Sequence, residues 1–399
     1  MEHPLILRPA PRAPQPGSVP LSLYVHVPWC LRKCPYCDFN SHPAPGGGSS
    51  IPEDPYLDAL RADLEDSLPR IWGRTVHSVF LGGGTPSLLS AAGVARLLSD
   101  IRARLPLAPD CEVTLEANPG TFEAERFRGF RDAGVNRLSL GIQSFDDARL
   151  RALGRVHGAD EARHAAREAL AIFSNVNLDL MSALPGQDLE GALADVRAAI
   201  ALAPAHLSVY SLTLEPGTPF HRQPPAGLPD EETVEAIDAA LGAELRGGGF
   251  EQYEVSAWAQ PGRRCRHNLN YWTFGDYLGI GAGAHGKLTL EGGTIVREER
   301  HRAPSVYLEH ARRGEFVTAR RAPPPEELAF EYALCAFRLA EGFAPSHFER
   351  RTGLPFARLE TGLARARARG LVEETALLVR ASERGRRFLS DLQEQFLAT

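Results

Sequence analysis

Tyr24-Val-His-Val-Pro-Trp-Cys30-Leu-Arg-Lys-Cys34-Pro-Tyr-Cys37-Asp-Phe-Asn-Ser41 is the stretch from which the rest of the chain is read. A β-rich run, 21–27, leads into three cysteines separated by three and two residues. Three thiolates at that spacing can wrap one face of an iron–sulfur cube, because soft sulfur ligands suit iron–sulfur clusters or zinc. A cube of four irons held by three cysteines keeps one iron open, and an open iron is where substrate or cofactor chemistry takes place. A structural zinc site needs four protein ligands. His26 or His42 could supply the fourth, so a zinc-stabilised binding module stays in play at this point.

Around this loop lies a chain of 399 residues, enough for about two domains. Hydrophobic residues make up 43% and charged residues 24%, which is globular and excludes a wholly disordered chain. The net charge of −6 (44 Lys+Arg against 50 Asp+Glu) argues against binding nucleic acid through bulk charge. The other cysteines, Cys111, Cys265 and Cys335, are isolated, so no secreted disulfide framework is present. The Pro-rich start lacks the apolar core of a secretory signal, and no run of about 18 apolar residues occurs. The expected compartment is the reducing cytoplasm.

The expected fold class is α/β. From 21 to 212 short β-rich runs (21–27, 75–81, 111–117, 135–141, 175–181, 206–212) alternate with amphipathic runs (54–68, 91–104, 122–133, 159–173, 189–202). That rhythm predicts six parallel β/α units, as a partial barrel or an open wound sheet. Each strand candidate ends on Gly or polar residues, and parallel folds bind ligands at the carboxyl ends of their strands. Gly82-Gly-Gly-Thr-Pro86 closes the second unit and lets a ligand approach backbone. Residues 1–20 read as a flexible lead-in, 21–290 as the main domain, 291–325 as a connection and 326–399 as a mainly helical, winged-helix-like domain. That last part holds 11 Arg and 11 Asp+Glu, which fits a lid or docking role better than nucleic-acid binding.

The cysteine loop after the first strand and the Gly-rich turn after the second resemble the radical S-adenosylmethionine (SAM) superfamily. Glu116-Ala-Asn-Pro, Gly141-Ile-Gln143-Ser-Phe, Leu153-Gly-Arg155-Val-His157, Asn177-Leu-Asp179-Leu-Met and Leu184-Pro-Gly-Gln187 extend the likeness to the oxygen-independent coproporphyrinogen III oxidase family and its haem-chaperone branch. The resemblance runs from about 21 to 290 and implies a partial (β/α)6 barrel of the radical SAM type. It implies Cys30, Cys34 and Cys37 as ligands of a [4Fe-4S] cluster. It further implies Gly83, Gly84 and Thr85 at the methionine amino group of SAM, and Glu116, Gln143, Arg155 and Asp179 along the nucleotide. Tyr24, Tyr36, Thr213 and His285 would add contacts, the last two on looser similarity. No residue is assigned a catalytic role. The bland readings are a helix cap for Glu116, a surface ion pair for Arg155 and a turn residue for Asp179.

Two departures favour the chaperone branch over the decarboxylating oxidase. The oxidase usually carries a further cysteine where this chain has Phe39, and a longer N-terminal arm. The chaperone branch typically shows Cys-Asp-Phe and the motif present here as His267-Asn268-Leu-Asn-Tyr271-Trp272. The implied work is to bind haem as cargo and deliver it to haem-accepting apo-proteins, with an electron donor such as ferredoxin or flavodoxin for the cluster. Delivery to respiratory proteins would bring peripheral membrane contact, although no anchor is found. The alternative is the oxidase itself or another radical SAM enzyme of porphyrin metabolism. Neutral His267 could ligate haem iron with Tyr271 and Trp272 beside the porphyrin. The competing reading is a His-Asn pair that fixes a loop while the aromatics fill the core.

Overall fold

The computed structural model describes residues 13–45, 51–120, 123–375 and 377–397. Residues 1–12 of the expected lead-in, and Phe122, the first residue of one expected helix, lie outside the described residues. The later part of the lead-in packs onto the domain: Val19 is buried and the Pro20 carbonyl accepts from the Asp276 N–H at 2.9 Å.

The six strands are β1 (Leu21–Val27), β2 (Val76–Gly83), β3 (Leu107–Ala117), β4 (Arg137–Gln143), β5 (Val176–Ser182) and β6 (His206–Ser211). Side chains of a strand alternate between faces. One face carries Leu23, Val25, Val79, Leu81, Leu115, Leu138, Leu140, Leu178 and Leu207, all at 0% exposure. These residues share one core with α1 (Glu53–Ile71), α2 (Ala91–Arg104), α3 (Glu123–Ala133), α4 (Ala159–Ile172) and α5 (Leu189–Ala201). The opposite face carries Tyr24, Phe80, Glu112, Glu116, Arg137, Ser139, Asn177, Asp179, His206 and Ser208.

β1 to β6 pair in parallel and in sequence order. With right-handed crossovers, that unbroken order puts the helices on one face, whereas a doubly wound sheet reverses its order midway. Successive helices accordingly pack on one another, α1 on α2, α2 on α3 and α3 on α4. The fold is the expected partial barrel, with its polar face as the lumen.

The sheet continues past both ends of this unit. Beyond β6 come Ala257–Ala259 (β8) and Glu251–Gln252 (β7), both antiparallel. On the other side Asp276–Ile280 (β9) runs parallel to β1, followed antiparallel by His285–Thr289 (β10), Ile295–Arg300 (β11) and Val317–Arg321 (β12). The 12 strands lie in linear order, so the barrel is open. The segment 291–325, expected as a connection, thus contributes β11 and β12. α6 (Glu231–Gly247) packs on α5, while α7 (Arg266–Trp272) rests on the lumen side of β1, β2 and β9.

The last part builds a second core around Tyr332, Phe337, Phe348 and Leu363. Its order is helix Pro325–Ala336, helix Pro345–Thr352, helix Glu360–Ala368, then the antiparallel pair Val372–Glu374 and Val379–Ala381. This is the expected helical domain with a wing. The chain ends in two short helices, Glu383–Arg387 and Leu389–Glu394, separated because Phe388 adopts φ −110° and ψ 55°, outside the helical region.

Candidate cluster and cofactor site

The cysteine loop is closed by a short parallel pairing of Trp29–Cys30 with His42–Pro43. Asn40 pins it to the barrel: its Nδ2 donates to the carbonyls of Ala282 at 3.0 Å and Arg302 at 2.9 Å. His26 Nε2 lies 2.9 Å from the Asn40 carbonyl and its Nδ1 lies 2.9 Å from the Tyr24 hydroxyl. Both nitrogens of His26 are therefore engaged, and burial pushes its pKa down to about 4. His42 Nε2 faces Asn40 Oδ1 at 3.3 Å. His26 is thus not free to complete a zinc site. Among the described residues no three His, Cys, Asp or Glu side chains gather around a single ion.

The three cysteines are free and half-buried, and all line one cavity of about 2040 Å³. Burial pushes the Cys30 and Cys37 thiols up; the Thr85 hydroxyl opposes this at Cys30, and the Ser41 hydroxyl does so at Cys37. Three soft sulfurs lining one cavity form a donor set that fits a cube with an open corner.

The glycine turn sits against this loop. A Cβ at Gly84 would come 2.5 Å from the Trp29 carbonyl oxygen, and Gly83 has φ +109°, so glycine is required at both. The N–H groups are already spent: Gly84 donates to Val27 O at 2.7 Å, Thr85 to Trp29 O at 2.7 Å, and Gly83 to Glu116 Oε2 at 3.2 Å. What this turn can offer an ammonium group is carbonyl oxygen.

Glu116 and Asp179 are recessed in the lumen. Burial, reinforced by the Asp179 charge, pushes the Glu116 carboxyl up to about 8. Burial also raises Asp179, opposed by donation from Asn177 Nδ2 at 2.8 Å and Ser139 Oγ at 3.1 Å. Arg155 bridges the two halves of the mouth. Its Nη2 donates to Asn118 Oδ1 at 2.5 Å and Gly141 O at 2.8 Å, and its Nη1 lies 3.7 Å from Cys34 Sγ. Asn118 Nδ2 in turn donates to Thr85 Oγ1 at 3.0 Å. Gln143 reaches the same cavity from the end of β4, where φ 67° re-aims its side chain.

Of the residues expected at the site, Gly83, Gly84, Thr85, Glu116, Gln143, Arg155, Asp179, Tyr36 and Thr213 line this cavity with the cysteines. Tyr24, His285 and His267 do not. They line a second cavity of about 420 Å³ with His26, Phe39, Phe80, Tyr271 and Tyr277, and the two cavities meet at Phe39, Gly83 and Glu116. His267 is 4% exposed, stacked on Phe80 at 4.3 Å and edge-on to Tyr271 at 4.5 Å. Burial, helped by the Arg137 charge, pushes its pKa down to about 3, and its Nδ1 has no partner among the described residues.

Sequence reading gave no role to Asn118 and Asn40, which tie the turn, the arginine and the loop together. Asn118 sat in plain view as the third residue of Glu116-Ala-Asn-Pro; Asn40 carried no signal, since its partners Ala282 and Arg302 are remote in sequence.

Comparison with known proteins agrees with this geometry. The family model for the radical SAM superfamily matches residues 24–199, and that for the HemN C-terminal domain matches residues 324–388. The heme chaperone HemW of Escherichia coli (strain K12) is 47% identical over 380 residues, covering 95% of this chain and 98% of that protein. The radical S-adenosyl methionine domain-containing protein 1, mitochondrial, of Bos taurus is 39% identical over 352 residues, 85% of this chain and 78% of its own length. Among solved structures, coproporphyrinogen III oxidase (HemN) from Escherichia coli, a radical SAM enzyme, shares the fold at TM-score 0.79 with 24% identity, covering 95% of this chain and 90% of that one. Identities of 47% and 46% over 95% and 96% of its length place the chain in the HemW family of the radical SAM superfamily.

Proposed function

We infer that this chain is a haem chaperone on a radical SAM scaffold, binding haem and delivering it to haem-requiring proteins. The observation that carries this reading is the 47% identity to a heme chaperone across 95% of the chain. Phe39, 62% exposed where the oxidase usually carries a further cysteine, points the same way.

Cys30, Cys34 and Cys37 would hold a [4Fe-4S] cluster, and Gly83, Gly84, Thr85, Glu116, Gln143, Arg155 and Asp179 would seat SAM beside it in the larger cavity. When bound, this pair supplies one-electron cleavage of SAM. The chain's own residues bind and orient. Arg155 presents a fixed cation to the cluster side and the nucleotide side together. Glu116, held partly protonated near neutral pH by burial, can donate or accept at the wall between the cavities. Haem would meet His267 through the smaller cavity; the neutral ring with an unpartnered Nδ1, and the aromatic lining of Phe80, Tyr271 and Tyr277, support that placement.

The partners we propose are haem-accepting apo-proteins and a one-electron donor such as a ferredoxin or flavodoxin. No helix among the described residues is long and apolar enough to cross a membrane. We place the chain in the cytoplasm, with any membrane contact peripheral. The deciding experiment is anaerobic reconstitution followed by haem titration and an assay with coproporphyrinogen III. About four irons and four sulfides per chain, stoichiometric haem and no decarboxylation are expected. Efficient double decarboxylation would reject the chaperone reading in favour of the oxidase.

A further inference from the structure

Behind Asp179 the lumen holds a line of side-chain hydrogen bonds whose other members bond neither to the cysteine loop nor to any further residue assigned to SAM. It starts at Asp179, an acceptor when ionised, which takes Asn177 Nδ2 at 2.8 Å. With its amide nitrogen turned to the carboxylate, Asn177 presents Oδ1 to His206 Nδ1 at 2.6 Å, so that ring nitrogen carries the proton. His206 Nε2 is then the acceptor for the Tyr253 hydroxyl at 2.8 Å. The Tyr253 oxygen accepts from Asn268 Nδ2 at 3.3 Å, and Asn268 sits on α7 beside His267. Ser139 and Ser208 close the remaining valences: Asn177 Nδ2 also donates to Ser139 Oγ at 2.8 Å, and Ser208 Oγ donates to Asn177 Oδ1 at 3.1 Å.

Asn177, His206 and Tyr253 are buried at 2%, 0% and 1% exposure, so no water competes for these bonds. A single carboxylate thus sets the direction of every bond in the line, from α7 toward Asp179. Such a chain polarises cooperatively. Donors from a ligand arriving at Asp179 favour its charged form, and each bond behind it responds.

We propose that Asn177, His206 and Tyr253 are positioning residues that couple Asp179, recessed in the larger cavity, to α7, so that a ligand at one end changes affinity at the other. The proposal rests on the reading that SAM meets Asp179 and haem meets His267. Tyr253 is its hinge, because one hydroxyl both donates to His206 and accepts from Asn268.

The test uses the full chain with its cluster reconstituted. SAM affinity is measured with and without haem, and haem affinity with and without SAM. The expected ratio differs from one by about fivefold or more and is the same in both directions, as linkage requires. Tyr253→Phe should bring the ratio close to one, and remove any SAM-induced shift of the haem absorption band, with iron content unchanged. Asn268→Ala, which cuts the line at its half-buried far end, should do the same and guards against misfolding of the first variant. A wild-type ratio of one, or a ratio that survives in both variants, overturns the proposal while leaving the chaperone reading intact. A cluster-loaded wild type that binds neither ligand overturns both.

Discussion

The two faces of the same six strands do opposite work. Leu23, Val79, Leu140 and Leu178 face the helices, fully buried among other apolar side chains. Tyr24, Phe80, Glu116, Ser139, Asn177 and Asp179, a step away along the same strands, face a lumen that is polar apart from its aromatic second cavity. Stability resides on the first face and chemistry on the second. Because strand side chains alternate, the division costs no extra backbone. The lumen face gives up apolar burial and replaces it with hydrogen bonds, which is tolerable only if nearly every polar group finds a partner.

The comparison breaks most sharply at the cysteines. Replacing Cys30, Cys34 and Cys37 together by serine should take iron and sulfide from about four each per chain to near zero. Thermal unfolding of the cluster-free protein should move little, within about 0.5 kcal/mol, because these half-buried side chains carry no core packing. A variant that still binds a full complement of iron would sink the cluster assignment.

On the other face, Leu140→Ala should cost about 2–5 kcal/mol in chemical denaturation. The folded fraction should still reconstitute its cluster. A loss of iron binding without a loss of stability would contradict the division of labour.

Arg155→Lys keeps the charge but not the fork that reaches Asn118, Gly141 and Cys34. SAM affinity in calorimetric titration should fall by about tenfold or more, the equivalent of about 1.5–3 kcal/mol for a hydrogen bond to a charged group. An unchanged affinity would return Arg155 to a purely structural role.

The last expected effect is a pH dependence. The Glu116 carboxyl is raised from 4.5 to about 8 in the folded chain, so the folded state holds the proton more tightly than the unfolded one. Its contribution to stability is fully present below pH 4.5 and is lost as pH rises toward 8. Glu116→Gln should flatten that part of the stability profile of the cluster-free protein, measured by thermal melts from pH 5 to 8. Parallel profiles would show that Glu116 is solvated.

Much of this was legible in the sequence. The run 21–27 is β1 as read, and the strand-end motifs of five further units gather at one mouth, because alternation and Gly-rich ends report local geometry. Reading stopped short where local signals conflict. β3 begins at Leu107 rather than 111, since Pro109 and Asp110, both exposed, mask its first half. β9 and β10, with Gly279 and Gly286 inside them and Gly281 and Gly283 in the turn between, show no strand alternation in the sequence. The second cavity was illegible for a different reason. It exists because Glu112, on β3, accepts the N–H groups of Arg266 and His267 and holds α7 inside the barrel, a contact across more than 150 residues that no local pattern announces.

That same helix fills the lumen beside β1, β2 and β9. It leaves two cavities rather than one, the smaller reaching the surface beside the exposed His285 and Arg302. On the placement proposed above, a cargo seated against that helix and a nucleotide in the larger cavity lie side by side, touching only across Phe39, Gly83 and Glu116, so neither has to be in place before the other.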